Sequence, residues 1–245
     1  MEISIKDEKI KYSGDKNVSK IYGWNLYVPG IRIGAHDFQR FNKQYAYVAL
    51  PENNIWVFLR TAIFLEVVGR PNSKTEEPQY VIVHDVGKEG PHTWDVPKGQ
   101  VEYKEFMDIK HKYRTPQTGL RGLLKEGIRR ELEEESKISI DDVQGLKELT
   151  GLVVAGKHND LPKNFHYQYH LFEGKVHYKI FERAKKKIDR LRENPILTIN
   201  MPKDVIEKDN IILWSPSDGL DKIIHGDPEK LVRLYMSYKH GLSMK

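Results

Sequence analysis

The sequence predicts an α+β fold in which helices cover both faces of a mixed β-sheet, as a three-layer α/β/α sandwich. Two patterns predict it. Short apolar segments separated by polar, Gly- and Pro-bearing loops are typical of strands, and they lie on both sides of a long segment of helix-forming residues. A second series of strands and helices follows from about residue 150. The 245 residues, 39% of them hydrophobic, suffice for one large domain with a core and insertions.

The predicted strands of the first half begin in an aromatic-rich N-terminal region, residues 1–58. A new pattern begins near Thr61, where a β-rich segment and the next apolar segment are joined by a polar loop and would pair as a hairpin. The last strand of this half must stop at Pro97, which lacks the N–H that a central strand needs. These strands cover residues 45–50, 55–59, 61–68, 79–86 and 93–96.

A helix is predicted over residues 119–136, because this segment consists largely of Leu, Glu, Lys and Arg. Strands and helices then alternate to the end of the chain. The remaining strands are predicted at residues 152–155, 165–172 and 210–214, and the remaining helices at 181–193 and 228–238.

The composition excludes several classes of site. The chain contains no cysteine, so disulfides, zinc-thiolate sites and thiol nucleophiles are absent, as is usual in a reducing compartment. No apolar run approaches the roughly 18 to 20 residues that cross a bilayer, and the charged N-terminus lacks a signal-peptide pattern. We therefore expect a cytoplasmic protein without a membrane partner. The net charge of +5 indicates polyanionic partners only weakly.

Three glutamates on the helix over residues 119–136 indicate a metal site. On a helical wheel Glu131 and Glu135 fall within the apolar stripe and Glu134 at its edge, whereas Glu133 lies on the opposite, solvated face. Carboxylates directed towards a core must be paired or bound to cations, and oxygen ligands suit Mg²⁺ or Mn²⁺. The apolar stripe consists of Leu120, Leu124, Ile128 and Leu132.

The segment from Arg130 to Glu135 resembles the Arg-Glu-U-x-Glu-Glu core of the Nudix box, in which U is a bulky aliphatic residue. Ile138 matches the closing aliphatic position, and Gly99 with Glu105 matches the opening Gly-x5-Glu. The resemblance implies a Nudix hydrolase fold and a hydrolase of diphosphate bonds, in which Arg130 orients a carboxylate. The implied metal site comprises Glu131, Glu134 and Glu135 together with Gly99 and Glu105.

The chain departs from the family pattern at two points. Between Glu105 and Arg130 lie 24 residues where the family has seven, so about 17 residues within 106–122 are inserted. Lys137 replaces the glycine that ordinarily ends the helix in a left-handed turn. We accordingly divide the chain into an accessory region, residues 1–58, and a Nudix hydrolase domain. That domain covers residues 59–245, with insertions near 106–122 and 177–205.

Two further segments resemble the family. Residues 94–99 resemble the Trp-x-x-Pro-Lys-Gly signature of a Nudix subgroup, whose lysine, here Lys98, would lie near a substrate phosphate. Residues 211–220 resemble the Trp-bearing strand and short helix that close the fold. In the family the general base is a box glutamate or a glutamate of the loop before this strand. Glu207 and Asp209 lie there, and we favour Glu207.

The resembled subgroup includes mRNA-decapping enzymes, and the additions in this chain favour capped RNA as the substrate. The length, the N-terminal addition and a C-terminal helix ending in Tyr-Lys-His are similar to the Nudix decapping enzymes of large DNA viruses, which would act in host cytoplasm. A basic helix could hold the RNA backbone through Lys185, Lys186, Lys187 and Arg190. The aromatic candidates for stacking on the cap are Tyr22, Trp24, Trp56, Tyr103 and Phe106.

Two other functions remain open from the sequence. The same box occurs in hydrolases of dinucleoside polyphosphates and diphosphoinositol polyphosphates, and a basic insertion suits those anions equally well. The Lys137 replacement and the insertion would also permit a non-catalytic RNA-binding module. The oligomeric state, the metal and the number of ions stay undetermined.

Overall fold

The computed structural model describes residues 23–38, 43–50, 54–71, 77–157, 161, 163–199, 201 and 207–242. Within them, nine strands form one sheet flanked by four α-helices. The strands are β1 (Arg32–Phe38), β2 (Lys43–Leu50), β3 (Ile55–Val68), β4 (Tyr80–Asp85), β5 (Trp94–Asp95), β6 (Lys98–Gln100), β7 (Gln144–Gly156), β8 (Phe165–His177) and β9 (Lys208–Trp214). The helices are α1 (Tyr103–Ile109), α2 (Pro116–Glu131), α3 (Tyr178–Glu193) and α4 (Asp227–His240).

Strand β3 is the centre of the sheet. It pairs in parallel with β8 over its last 13 residues, and its other edge pairs antiparallel with β2, then β6, then β4. Strand β7 extends the sheet beyond β8, and β9 extends it beyond β4. The sheet is therefore mixed, as the sequence predicted.

Helices cover both faces of this sheet. The side chains of β3 alternate: Leu59 and Ile63 belong to the core that faces α2 and α3, and Phe64 belongs to the core that faces α4. The Phe64 ring stacks on Tyr235 of α4 with ring centroids 3.9 Å apart. The α+β, three-layer prediction is confirmed. No helix in the described ranges is both long and apolar enough to cross a membrane.

Several predicted strand ends differ from the structure: β7 begins at Gln144 rather than at residue 152, and β8 ends at His177 rather than at residue 172. The strands predicted at residues 55–59 and 61–68 form the single strand β3, because Arg60 and Thr61 interrupt the apolar pattern but still pair with β6 and β8. Pro97 ends β5, as expected, but β6 resumes at the next residue. The Pro97 carbonyl accepts a hydrogen bond from the Ile63 N–H, so this proline still joins the sheet.

The segment predicted to be inserted, residues 106–122, is largely helical. It contains most of α1, a 3₁₀ turn (Lys110–Lys112) and the first turns of α2. Helix α2 begins three residues earlier than predicted, because the Thr115 side chain caps it and Pro116 occupies its first position. A Thr-Pro pair is an N-terminal helix signal that the sequence contained.

The N-terminal region contributes strands to the common sheet. Strand β2 pairs with β3 from Tyr47↔Phe58 to Leu50↔Ile55, and β1 pairs with β2 along its whole length. The sequence pattern did not predict β1. The division of the chain at residue 58, and the treatment of 177–205 as an insertion, stay predictions.

Candidate active site

The glutamates lie where α2 changes its geometry. The α-helix ends at Glu131, and Leu132–Ser136 continue as a π-helical turn, a feature often found at functional sites. Lys137 then ends the helix in the left-handed conformation, at φ 60°, which lysine adopts at some cost. The wheel prediction is confirmed: Glu131 is 8% exposed and Glu135 4%, Glu134 is partly buried and Glu133 is exposed.

Arg130 connects three of the predicted carboxylates. Its Nε donates to Glu105 Oε1, its Nη1 to Glu134 Oε2 and its Nη2 to Glu131 Oε1, each at 2.7 Å. The same Nη2 donates to the Gln100 carbonyl at 2.7 Å, which fastens the cluster to β6. A single guanidinium therefore brings Glu105 of α1 beside the glutamates of α2, despite the 24 residues between Glu105 and Arg130.

Gly99 makes room for the cluster. A Cβ atom built on this residue would lie 1.8–2.1 Å from the carboxyl atoms of Glu131, far inside contact distance. The Glu131 carboxylate therefore rests directly on the backbone of β6. A side chain at position 99 would displace that carboxylate.

Glu135 is held by two lysines. Its Oε2 accepts a hydrogen bond from the backbone N–H of Lys98 at 2.7 Å, and its Oε1 lies 2.9 Å from Nζ of Lys208. Lys208, at the start of β9, also binds Asp85 and is only 7% exposed at its side chain. The sequence reasoning missed Lys208. Its only signal was its position beside Glu207.

The Lys98 ammonium is neutralised within the protein. Its Nζ lies 2.9 Å from Asp95, which is itself 2% exposed. Burial opposes the charged form of Lys98, but Asp95, Tyr169 and Glu135 outweigh it and raise its pKa well above the usual range. Lys98 is therefore protonated and paired with an internal carboxylate.

Glu102, the residue before α1, is an acidic residue that the sequence reasoning missed. Glu102 precedes this helix and forms a reciprocal cap with Glu105, whose carboxylate accepts the Glu102 N–H at 3.0 Å. The Glu102 carboxylate is buried and lies 2.9 Å from Lys43 and 2.6 Å from Lys104. The Glu-x-x-Glu pair at a helix start was the available signal.

The two candidate bases have different surroundings. Glu207 is exposed and lines the cleft, and its carbonyl accepts the Val86 N–H at 2.9 Å. Asp209 binds His84 Nδ1 at 2.6 Å and is absent from the described lining of the cleft. Among the described residues Glu207 therefore lines the cleft and Asp209 does not, and the choice of Glu207 as the base stays a prediction.

The glutamates of α2 and Glu207 line one open cleft of about 500 Å³, at the junction of α2, β6, β8 and α4. Among the described lining residues, eight side chains are acidic and five are basic. The acidic residues are Asp85, Asp95, Glu102, Glu131, Glu134, Glu135, Glu207 and Asp227; the basic ones are Lys43, Arg60, Lys98, Arg130 and Lys208. This excess of negative charge would repel a polyphosphate unless cations offset it.

The donor set fits a hard divalent cation. It consists of carboxylate oxygens, and burial raises the pKa of Glu131, which means that the available positive charge does not fully offset the buried acids. In the described residues no three His, Cys, Asp or Glu side chains are grouped around one metal position, because their oxygens are directed to Arg130 and Lys208. Binding of an ion would require these carboxylates to turn towards it.

The basic helix lies outside the described lining of this cleft. Helix α3 packs on the sheet through Phe181, Ala184 and Ile188, and its basic side chains point away from that contact. Lys186, Lys187 and Arg190 are exposed, whereas Lys185 lies 3.4 Å from Asn210 of β9 and 3.8 Å from Asp189. The structure thus gathers Lys98 and the glutamates but not these four residues.

The stacking candidates that the structure describes also lie outside the described lining of the cleft. Trp56 stacks on Phe165, with centroids 5.2 Å apart, and Tyr103 packs beside Phe106. Trp24 lines a separate pocket with Gln168 and His170, and Tyr22 lies outside the described residues. The aromatic residues that do line the cleft are Tyr45 of β2 and Tyr169 of β8.

No protein-family model matches the chain, and no curated protein matches it. Solved structures are similar in part, and three of them serve as examples. A *C. elegans* Ap4A hydrolase binary complex has 12% identity and a TM-score of 0.41, covering 76% of this chain and 100% of that chain. The NUDIX domain of *Shewanella oneidensis* NrtR complexed with ADP ribose has 11% identity, coverages of 77% and 92% and a TM-score of 0.41. A mutT/nudix family protein from *Listeria innocua* has 15% identity, coverages of 74% and 91% and a TM-score of 0.38. At these values, function has to be inferred from the chain's own residues.

Proposed function

We propose that this chain is a metal-dependent Nudix diphosphohydrolase that removes the 5′ cap of RNA and releases 7-methyl-GDP. The observation that carries the proposal is the Arg130 cluster. Arg130 binds Glu105, Glu131 and Glu134 at 2.7 Å each, and Glu131 rests on Gly99. These are the residues by which the sequence resembles the Nudix box, and they meet although a helical insertion separates them.

In this proposal Glu131, Glu134 and Glu135, with Glu105 and Gly99, hold Mg²⁺ or Mn²⁺. The ion supplies positive charge against the phosphoryl oxygens and lowers the pKa of the attacking water. Arg130 fixes the directions of three carboxylates, and the Lys98 N–H with Lys208 fixes Glu135. Once the carboxylates have turned towards a bound ion, these contacts would limit further reorganisation in the transition state.

Glu207 is the proposed general base. It is exposed at the cleft, where it could take a proton from water, whereas the nearby Asp209 is absent from the described lining of the cleft. The protonated base would then return its proton to the solvent, which its exposure permits.

The surface of α3 supports RNA as the substrate. Its exposed Lys186 and Arg183 line a groove of about 590 Å³ together with His177 and Tyr178. Basic side chains beside an aromatic ring suit a single strand, because they contact phosphates and the ring stacks on bases, although Arg183 also pairs with Asp142 at 2.7 Å. Lys185 and Arg192 reach Asn210 and the Asp209 carbonyl of β9, so the basic helix adjoins the strand that carries Lys208.

The experiment that tests the substrate compares capped RNA, the free cap dinucleotide, diadenosine polyphosphates and diphosphoinositol polyphosphates, each with Mg²⁺ or Mn²⁺. The proposal predicts release of 7-methyl-GDP from capped RNA and far slower cleavage of the free dinucleotide. Equal cleavage of the capped RNA and the dinucleotide, or cleavage of the inositol or diadenosine compounds alone, would refute decapping and retain the hydrolase. If none of these compounds is hydrolysed, the proposed hydrolase is refuted and a non-catalytic RNA-binding module remains as the function.

A further inference from the structure

Arg60 differs from the other basic side chains of the cleft. Lys43 lies 2.9 Å from Glu102, Lys98 lies 2.9 Å from Asp95, and Lys208 lies 2.9 Å from Glu135. Arg130 is bound to three glutamates. Arg60 forms no ion pair with any residue that the structure describes.

Two tyrosines of β8 hold the Arg60 guanidinium instead. Its Cζ lies 4.5 Å from the centre of the Tyr167 ring and 5.2 Å from that of Tyr169, and its Nη1 donates to the Tyr169 hydroxyl at 2.9 Å. These contacts fix the plane of the guanidinium, and no carboxylate in the described residues lies within ion-pair distance of it. Its Nε is buried and, in the described part of the chain, has no hydrogen-bond partner.

The position of Arg60 relates it to the proposed catalytic residues. In the sheet Arg60 is paired with Gln100, whose carbonyl holds Arg130, and with Tyr169 on its other side. Lys98 Nζ lies 6.0 Å from the centre of the same Tyr169 ring. Arg60 is therefore one strand away from the backbone that fastens the glutamates, and it lines the same cleft.

We propose that Arg60, oriented by Tyr167 and Tyr169, is an anion subsite that binds a phosphate group of the substrate in this cleft. This inference rests on the proposed function, because the phosphate is part of the substrate of the proposed hydrolase. A guanidinium offers two parallel N–H donors to a phosphate, and stacking on aromatic rings preserves that fork. Of the described cleft side chains, Arg60 is the cation whose charge no carboxylate neutralises, so it is better suited to this role than Lys98.

A purely structural role is the alternative for Arg60. The Tyr167 hydroxyl is hydrogen-bonded to Asp227, the first residue of α4, so the Arg60–tyrosine stack also connects the sheet to that helix. Replacement of Arg60 would then lower the thermal stability and leave phosphate affinity unchanged. The two roles are separated by measuring affinity and stability on the same variants.

The test is calorimetric titration with methylenediphosphonate, an unhydrolysable pyrophosphate, in the presence of Mg²⁺. Arg121→Gln is the matched control, because Arg121 also lies 4.5 Å above a tyrosine ring, that of Tyr27, but outside the described lining of the cleft. We expect Arg60→Gln to weaken binding by about tenfold or more and Arg60→Lys by less, since loss of a charged hydrogen bond has that order of effect. Arg121→Gln should bind like the wild type.

Two outcomes contradict the proposed subsite. In the first, the wild-type protein does not bind the diphosphonate; in the second, Arg60→Gln binds it as tightly as Arg121→Gln does. Arg60→Lys keeps the proposal testable if Arg60→Gln does not fold, because lysine retains the charge and loses the fork. Diphosphonate binding requires no turnover. If no diphosphate is hydrolysed but binding depends on Arg60, the proposed function fails and the subsite stands.

Discussion

Glu131 lies against the backbone of Gly99 as well as against the Arg130 side chain, and the backbone contact makes Gly99 important to the cluster. The carboxyl group is 8% exposed, receives one donor from Arg130, and lies where a Cβ of residue 99 would be. Buried carboxylates are sensitive to small displacements, because each lost donor leaves charge without compensation.

Gly99→Ala is therefore expected to lower kcat by about 10²-fold, since misplacement of a catalytic group by about 1 Å has that effect. The measurement is kcat for diphosphate hydrolysis with Mg²⁺. Gly119→Ala is the control, because a Cβ there meets its nearest atoms at 3.8 and 3.9 Å. That variant should retain kcat and gain about 0.5–1 kcal/mol of stability, as alanine is favoured over glycine in a helix. Full activity of Gly99→Ala would contradict the placement of Glu131.

Glu207 and Asp209 provide a second comparison at single residues. Glu207→Gln keeps the shape of the side chain but cannot accept a proton, so kcat should fall by about 10²-fold or more while the fold is retained. Asp209→Asn is the matched change two residues away, at a carboxylate bound to His84, and should retain most of the activity. The measurement is the pH–rate profile of both variants. Equal rates for Glu207→Gln and the wild type would remove Glu207 from the mechanism.

At the scale of single elements, the sequence predicted periodic features well and spatial partners poorly. The wheel over residues 119–136 gave the correct exposure of Glu131, Glu133, Glu134 and Glu135, because burial of a helical residue follows its angular position. It could not show that Arg130 reaches Glu105 in α1 or that Lys208 reaches Glu135. Those contacts depend on how distant elements pack, which no local pattern encodes.

The π-helical turn at the end of α2 is a further example. Nothing in the residues from Leu132 to Ser136 distinguishes a π turn from an α turn by composition. Lys137 did indicate an irregular end, because it stands where glycine would normally take the left-handed conformation, and its φ is 60°. The site of the irregularity was predictable, although its type was not.

The next prediction concerns RNA binding by the exposed basic side chains of helix α3. The triple change Lys186→Gln/Lys187→Gln/Arg190→Gln removes three exposed charges without touching the buried contacts of Phe181 or Ile188. If these side chains contact RNA phosphates, the slope of log affinity against log salt should decrease by about 2, at about 0.7 per contact for a single strand. Cleavage of a small diphosphate should be unchanged.

The control for this prediction replaces three exposed lysines on other elements, Lys125, Lys147 and Lys175, with glutamine. Both triple variants have the same net charge, so a non-specific charge effect would alter RNA affinity equally in both. Equal salt dependence of the two variants would show that α3 is not an RNA contact. The affinities would be measured by fluorescence anisotropy with capped RNA over a series of salt concentrations.

For the molecule as a whole, the layered fold was predictable and the strand order was not. Side chains on opposite faces of β3, such as Leu59 and Phe64, are both buried. A sheet buried on both faces requires helices on both sides. The parallel pairing of β3 with β8, and the pairing of β9 with β4, join segments more than 100 residues apart. Such pairings depend on competition between strands across the chain, so local propensity does not fix them.

The charge of the cleft leads to a prediction about global stability. Because eight acidic side chains face five basic ones among the described lining residues, Mg²⁺ should bind the folded protein in preference to the unfolded chain. At 100 times its dissociation constant it should add about 2.7 kcal/mol to the free energy of unfolding. For a chain of this length that is a rise of roughly 5–10 °C in Tm.

The thermal shift is measured by scanning calorimetry with Mg²⁺ and with a chelator. The Glu134→Gln/Glu135→Gln variant should lose most of the shift, and Glu133→Gln, on the exposed face of the same helix, should keep it. The same shift in both variants would place the ion elsewhere on the molecule. This readout does not depend on turnover or on the choice of substrate.

The measurement that tests the central claim most directly is hydrolysis of cap-radiolabelled RNA with Mg²⁺ or Mn²⁺, by the wild type and by Glu134→Gln/Glu135→Gln. We predict that the wild type releases 7-methyl-GDP and that the double variant, folded to the same degree by circular dichroism, releases none above background. Equal release by both proteins would contradict the assignment of the Arg130 cluster as the catalytic centre.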